Sequence, residues 1–211
     1  TGNDLIFGGS FGDDSLDGSS GNASIYGGDG DDSIYGGGGG GGQTLSGGDG
    51  NDLIFGGSYG NDSLDGGTGN DSIVGGSGGE STISGGDGDD TLQASDGTET
   101  IYGGSGNDLI FGAGGNDSID AGTGDDSIYA SGGSGIDSIE GGTGNDFIFA
   151  DISGNALLSD TLLTFSGLSS GSYRLSGIEA AYLVGDAGNN LLDASTSSLK
   201  TILSGGDGND L

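Results

Sequence analysis

A nine-residue period governs this chain from Thr1 to Phe149, where sixteen consecutive units follow the form G-G-x-G-[N/D]-D-x-[I/L]-x. Gly27–Tyr35 (GGDGDDSIY), Gly47–Phe55 (GGDGNDLIF) and Gly66–Val74 (GGTGNDSIV) show it most clearly. A unit this short cannot bury an apolar face alone, so the fold must come from stacking neighbours. The eighth position is the strictest: Ile6, Leu16, Ile25, Ile34, Leu45, Ile54, Leu64, Ile73, Ile83, Leu92, Ile101, Ile110, Ile119, Ile128, Ile139 and Ile148. One aliphatic flanked by two residues of opposite facing is a three-residue strand. The six Gly, Asp, Asn and Ser residues between strands supply the left-handed conformations of a tight turn. Strands this short must pair across rungs about 4.8 Å apart, which gives roughly eight rungs and a rod of about 40 Å. The expected fold is all-β: a right-handed parallel β-roll or β-helix solenoid with two units per coil and a single dry layer of aliphatics.

Composition alone would suggest something else. Only 29% of the chain is apolar and its formal charge is −31, a combination that usually signals disorder. Disorder presumes randomly placed acid, and here the acid recurs at fixed turn positions. Arg174 and Lys200 are the only basic residues beside 33 acidic ones, so phosphate backbones and anionic membrane surfaces are repelled, and nucleic acid is excluded as a partner. No segment approaches the ~20 apolar residues needed to span a bilayer, and no leader motif is visible. The chain has no cysteine, so an oxidising compartment would cross-link nothing, although it is not excluded.

Successive coils place one acidic turn directly above another, and unscreened carboxylates so close repel strongly. A hard cation resolves this. Calcium accepts six to eight oxygens in flexible geometry, whereas magnesium dehydrates reluctantly and zinc prefers nitrogen and sulfur ligands that the chain lacks. Alternate units lie on opposite edges, so the sixth positions sort by parity. One edge reads Asp14, Asp32, Asp52, Asp71, Asp90, Asp108, Asp126 and Asp146, a complete row with seven intervals. The other reads Asp4, Ala23, Gln43, Asp62, Ser81, Glu99, Asp117 and Asp137, and carries the glycine run Gly36–Gly42. One continuous calcium row and one broken row are therefore expected. In the broken row Asp117 with Asp137 is the intact pair, and Asp4, Asp62 and Glu99 are weaker candidates. Two alternatives stand beside this: the aspartates serve only as turn formers, or an irregular unit slips the parity and mixes the rows.

These sixteen copies resemble the RTX (repeats-in-toxin) family, the hemolysin-type calcium-binding nonapeptides that form parallel β-rolls. The resemblance covers residues 1–149 and returns at 204–211. It implies that each calcium lies between successive turns on one edge, held by the sixth-position Asp of both and by four carbonyls. For the complete row these are the position-two carbonyls of Gly9, Gly28, Gly48, Gly67, Gly86, Gly104 and Gly122 and the position-four carbonyls of Gly12, Gly30, Gly50, Gly69, Gly88, Gly106 and Gly124. The later turns add position one, Gly27, Gly47, Gly66, Gly85, Gly103, Ala121 and Gly141, and position three, Asp29, Asp49, Thr68, Asp87, Ser105, Thr123 and Thr143. For the second row the same rule gives Ala113, Gly115, Gly132 and Ser134. About seven calcium ions are expected in the main row and a few in the other. The family is usually exported by type I secretion from Gram-negative bacteria, and its rolls also sit beside the catalytic domains of secreted enzymes.

Positions seven and nine point outward. One sheet carries Tyr35, Phe55, Phe111, Tyr129 and Phe149, with Leu53, Val74, Leu109 and Phe147 beside them. Such a ladder is a candidate contact surface for copies of the chain or another partner; equally, the rings cover their own glycine-rich sheet as cross-strand pairs. The segment 150–203 departs from the repeat and is read as wider β-helical rungs, with Asp151–Leu168 as an excursion and Asn190 at a degenerate sixth position. A separate small domain is the alternative. Both ends fall inside a unit, which is expected of a window from a longer repetitive chain or of protomers continued by neighbours.

Without His or Cys, and with every carboxylate repeated in equivalent turns, no residue is set apart for catalysis. The expected function is a calcium-rigidified structural element of a secreted or cell-surface protein. An ice-binding or ligand-binding face, or the non-catalytic part of a secreted enzyme, is the alternative. For ice binding the relevant third positions, Ser10, Asp29, Asp49, Thr68, Asp87, Ser105, Thr123 and Thr143, are interrupted by charge.

Overall fold

A computed structural model of the chain describes residues 3–130, 135–152, 154–166 and 171–211. Among them there is no helix, and the strands stack as a solenoid of about ten turns, with one twelve-stranded and one ten-stranded sheet facing each other. Within the repeats the chain alternates between the two. Ser24–Asp29, Thr44–Asp49 and Ser63–Thr68 are neighbours in the larger sheet, while Ser33–Tyr35, Leu53–Phe55 and Ser72–Val74 are neighbours in the smaller.

Register follows the eighth position. Ile6, Ile25, Leu45, Leu64, Ile83, Ile101, Ile119 and Ile139 are directly paired along one sheet. Leu16, Ile34, Ile54, Ile73, Leu92, Ile110, Ile128 and Ile148 are paired along the other. From Ile25 to Ile148 each is 3% exposed or less, whereas Ile6 and Leu16, at the open end of the stack, are only partly buried. Parity is thus kept through every irregular unit, including Gly36–Gly42. A one-residue slip would turn an aliphatic out of the dry layer, which is why register is so strongly specified.

Strand length differs between the sheets. The smaller has the expected three-residue strands as far as Ser127–Tyr129, but the larger has strands of five to eight residues, mostly six, because pairing continues into the turn through Gly28↔Gly48 and Asp29↔Asp49. Glycines at positions one and two carry no side chain to hold adjacent backbones apart.

Beyond the repeats the stack widens. Gly171–Ser176 pairs with Ile136–Thr143 in the larger sheet, and Ala180–Gly185 and then Lys200–Ser204 extend the smaller. Asn155–Ser159 and Leu162–Ser166 form an antiparallel hairpin that enters the larger sheet between Gly171–Ser176 and Leu192–Thr196. The Asp151–Leu168 excursion, with Ser153, Gly167 and Leu168 outside the described residues, is thus built into the sheet and gives it two additional strands. Ala156, Leu158, Leu163, Phe165, Tyr173 and Leu175 enlarge the core here, and the rings of Phe165 and Tyr173 lie 5.1 Å apart.

Candidate metal sites

The turns of the complete edge connect the larger sheet to the smaller, and their backbone is set by glycine. In Gly27–Asp32, Gly28 and Gly30 have φ of 121° and 128°, which L side chains rarely adopt. A Cβ at Gly28 would run into the carbonyl of Gly9, and one at Gly30 into that of Gly12, both on the preceding turn. The position-two and position-four carbonyls of one turn therefore point toward the next. From the other side, the Gly47 carbonyl lies 2.6 Å from where a Cβ on Gly27 would be, and the Gly30 amide donates to the Asp49 carbonyl at 2.7 Å. Each interval thus receives carbonyls from positions two and four of the earlier turn and from one and three of the later.

The eight aspartates form one continuous ladder. The amide of each donates to Oδ1 of the next, from Asp14 to Asp32 and so on through Asp126 to Asp146, at 2.7–2.9 Å. The other oxygen has no such partner. Oδ2 of Asp32, Asp52, Asp71, Asp90, Asp108, Asp126 and Asp146 is buried with no hydrogen bond. An unpaired buried carboxylate oxygen is costly, and the cost is visible in the protonation equilibria. Burial pushes Asp52 and Asp108 up to about 6 and Asp90 up to about 7; the amide hydrogen bond opposes the shift and neighbouring row carboxylates add to it. Asp32, Asp71, Asp126 and Asp146 are raised for the same leading reason.

Among the described residues no three carboxylates converge. An interval offers two, and its remaining donors are carbonyls. This all-oxygen set, in which each row aspartate from Asp32 onward turns an orphaned anionic oxygen toward the following turn, fits a calcium-class ion that takes six or more oxygens, and it offers zinc neither nitrogen nor sulfur.

The opposite edge closes the same place from within. Gln43 Oε1 accepts the Ala23 amide at 2.8 Å while its Nε2 donates to the carbonyls of Gly21 and Gly41 at 2.7 and 3.4 Å. Both oxygens of Asp62 are used, by the amides of Gln43 and Gly57 at 2.8 and 2.7 Å. Ser81 accepts the Asp62 amide at 3.2 Å. Asp4 is followed on this edge by Ala23 and faces no second carboxylate. Only farther along does a row reappear. The Glu99 amide donates to Asp117 Oδ1 and the Asp117 amide to Asp137 Oδ1, both at 2.9 Å, and Glu99 Oε2 is buried without a partner. Burial pushes Asp117 up to about 7 and raises Glu99 and Asp137. Ala113 and Gly115 belong to this turn, while Gly132 and Ser134 lie outside the described residues.

A second ladder runs along the outside of the complete edge. At position five, Oδ1 of Asp13, Asp31, Asn51, Asn70, Asp89, Asn107 and Asp125 each accepts the amide of the following turn at 2.7–3.1 Å. Its direction is opposite to that of the buried row. On the smaller sheet Tyr35 stacks on Phe55, and Phe111, Tyr129, Phe149 and Tyr182 form a run with centroids 5.0–5.2 Å apart. Tyr35 is exposed, and the other proposed partner-face rings are half-buried against one another.

Three participants were not visible as such in the sequence: the Gln43 amide, Tyr182 as a continuation of the aromatic run, and Glu179, whose carboxylate accepts the Asp146 amide at 2.8 Å. The only signal for Glu179 is the alignment of Ala181 and Tyr182 with Ile148 and Phe149, which requires knowing how far the preceding turn is shortened.

The sequence model of the RTX calcium-binding nonapeptide repeat matches residues 1–22, 9–41, 37–58, 57–79, 76–110, 93–128 and 131–154. No curated protein matches the chain.

Proposed function

Since the chain belongs to the RTX calcium-binding nonapeptide repeat family, and such repeats make a calcium-binding structural domain, we propose that calcium both folds and stiffens this roll as part of a secreted or cell-surface protein. RTX repeats are typical of secreted Gram-negative proteins. The part played is that of an adhesin stalk, a surface-layer or sheath component, or an extracellular filament.

The observation that carries this reading is the buried row of orphaned carboxylate oxygens. Asp14, Asp32, Asp52, Asp71, Asp90, Asp108, Asp126 and Asp146 would hold the ions of the main row, about seven in number, with Glu99, Asp117 and Asp137 holding the few of the second. Bound calcium supplies the positive charge that lets stacked carboxylates stay ionised inside the protein. Because a preformed site does not survive unfolding, binding free energy becomes folding free energy. At the low free calcium of a cell interior the chain stays unfolded and suited to passage through a secretion channel; at millimolar calcium outside it folds. We assign no catalytic step to the chain, since its buried carboxylates repeat one environment.

Circular dichroism of the chelated protein during a calcium titration, with magnesium as the control, tests this. A cooperative gain of β-structure specific to calcium is expected. β-structure that persists unchanged in chelator would mean that the turns are held by something other than the ion.

A further inference from the structure

We propose that Glu179 completes one more calcium-class site on the complete edge, at the junction where the nonapeptide repeats give way to the wider rungs. The proposal rests on the reading of the main row above. It concerns a turn that the nonapeptide pattern does not describe.

Backbone register places Glu179. In the repeats the seventh-position amide donates to the sixth-position carbonyl of the preceding turn, as Ser33 does to Asp14 and Phe147 to Asp126 at 2.8 and 2.9 Å. At the next rung the Ala180 amide donates to the Asp146 carbonyl at 3.0 Å, and Ala181 pairs with Ile148. Glu179 therefore stands at position six although its turn is only Gly177-Ile178-Glu179, three residues where the repeat has six. Its carboxylate takes the role of a row aspartate, accepting the Asp146 amide through Oε2.

The other donors are also in place. Ser176 pairs with Glu140, so Gly177 occupies position one, and its carbonyl faces Gly141 as that of Gly47 faces Gly27. The Gly142 carbonyl lies 3.0 Å from where a Cβ on Gly177 would be. Asp146 is fully buried, and its Oδ2 has no hydrogen-bond partner. Two carboxylates and two carbonyls thus meet at this interval. The three deleted turn residues include the position-three carbonyl, and Glu179 is exposed, so the remaining ligands are water. One rung on, the Lys200 amide donates to the Glu179 carbonyl at 3.1 Å, which puts Leu199 at position six and ends the row with an apolar residue.

Native mass spectrometry and calorimetric titration at saturating calcium compare the 211-residue chain with its Glu179→Gln variant. The amide keeps an oxygen for the Asp146 N–H and loses the charge. The variant is expected to bind one ion fewer with an unchanged dichroism spectrum; an equal count overturns the proposal and leaves Glu179 as a cap. Absence of any bound calcium in the parent chain would instead defeat the reading of the whole row. Should the variant not fold, an anomalous difference map of parent crystals grown in calcium decides. A peak between Asp146 and Glu179 supports the site, and peaks in the repeat intervals with none there overturn it.

Discussion

The two edges of the roll share a backbone and differ in what occupies the sixth position. On the complete edge every buried carboxylate from Asp32 to Asp146 keeps one oxygen without a partner. On the other, Gln43 supplies an amide donor to the Gly21 and Gly41 carbonyls, and Asp62 gives both oxygens to amides. The lesson is that the stacked turn does not itself demand an ion. The sixth side chain decides whether an interval is closed by the protein or keeps a buried carboxylate oxygen unpaired, so the function proposed above concentrates metal dependence along one side.

The widest test of that contrast is chelation near pH 7. Loss of most β-structure is expected, because the complete edge then stacks buried carboxylates with nothing between them; a roll that stays folded would erase the distinction. Next comes a paired substitution at neighbouring places on the two edges. Asp90→Ala removes a proposed ligand from two intervals and strands the Asp71 amide, which by itself costs about 1–3 kcal/mol. Ser81→Ala also strands an amide, that of Asp62, but at a bond already stretched to 3.2 Å and with no carboxylate removed, so its loss should sit near the lower end of that range, about 1 kcal/mol. Denaturant melts in calcium should separate the two clearly, and equal losses would count against one-sided dependence.

Acidity gives a third test. The folded-state pKa values of Asp52, Asp90 and Asp108 lie above the ordinary 3.8, at about 6 to 7, so without calcium the folded form binds more protons than the unfolded between those limits. Its stability is then lost as pH rises from about 4 to 7 and regained on acidification. With calcium present the slope reverses, since protons displace the ion from the carboxylates. Circular dichroism of the chelated protein taken from pH 7 to pH 5 should show β-structure regained, whereas urea melts in calcium should show stability lost over the same range.

A smaller effect is expected of Gln43→Asp, which sets a second carboxylate beside Asp62. Calorimetry in calcium should find one additional ion, and an unchanged count would mean that the Asp62 interval stays closed without the glutamine amide. Smallest is Phe111→Ser on the smaller sheet. It removes a stacked ring worth about 0.5–1.5 kcal/mol beyond its buried area and should leave the calcium count unchanged.

Much of this architecture is legible in the sequence because the eighth and sixth positions report directly on facing and edge. Ile34 must point inward wherever it is placed, and Asp32 must lie in the turn before it. Pairing beyond the strand was harder to foresee: Gly28 and Asp29 look like turn residues, yet they remain in register because glycine lets backbones approach. Gln43 reads as a lost aspartate, and only the folded turn brings its amide to two carbonyls. Glu179 is hidden for a different reason, since a turn three residues short moves it out of the period while the backbone bonds keep it in place. The hairpin from Asn155 to Ser166 follows no repeat at all, and its inward positions are specified by ordinary alternation in Leu162–Ser166.

The two ladders on the complete edge also have a mechanical meaning. Asp32 grips the turn before it through the Asp14 amide, while Asp31 beside it grips the turn after it through Asn51. Adjacent residues thus clasp in opposite directions along the axis. A turn that loses one neighbour remains fastened to the other, so fraying that starts at either end meets the same latch at every step, and an axial pull is borne by side chains as well as by the sheets.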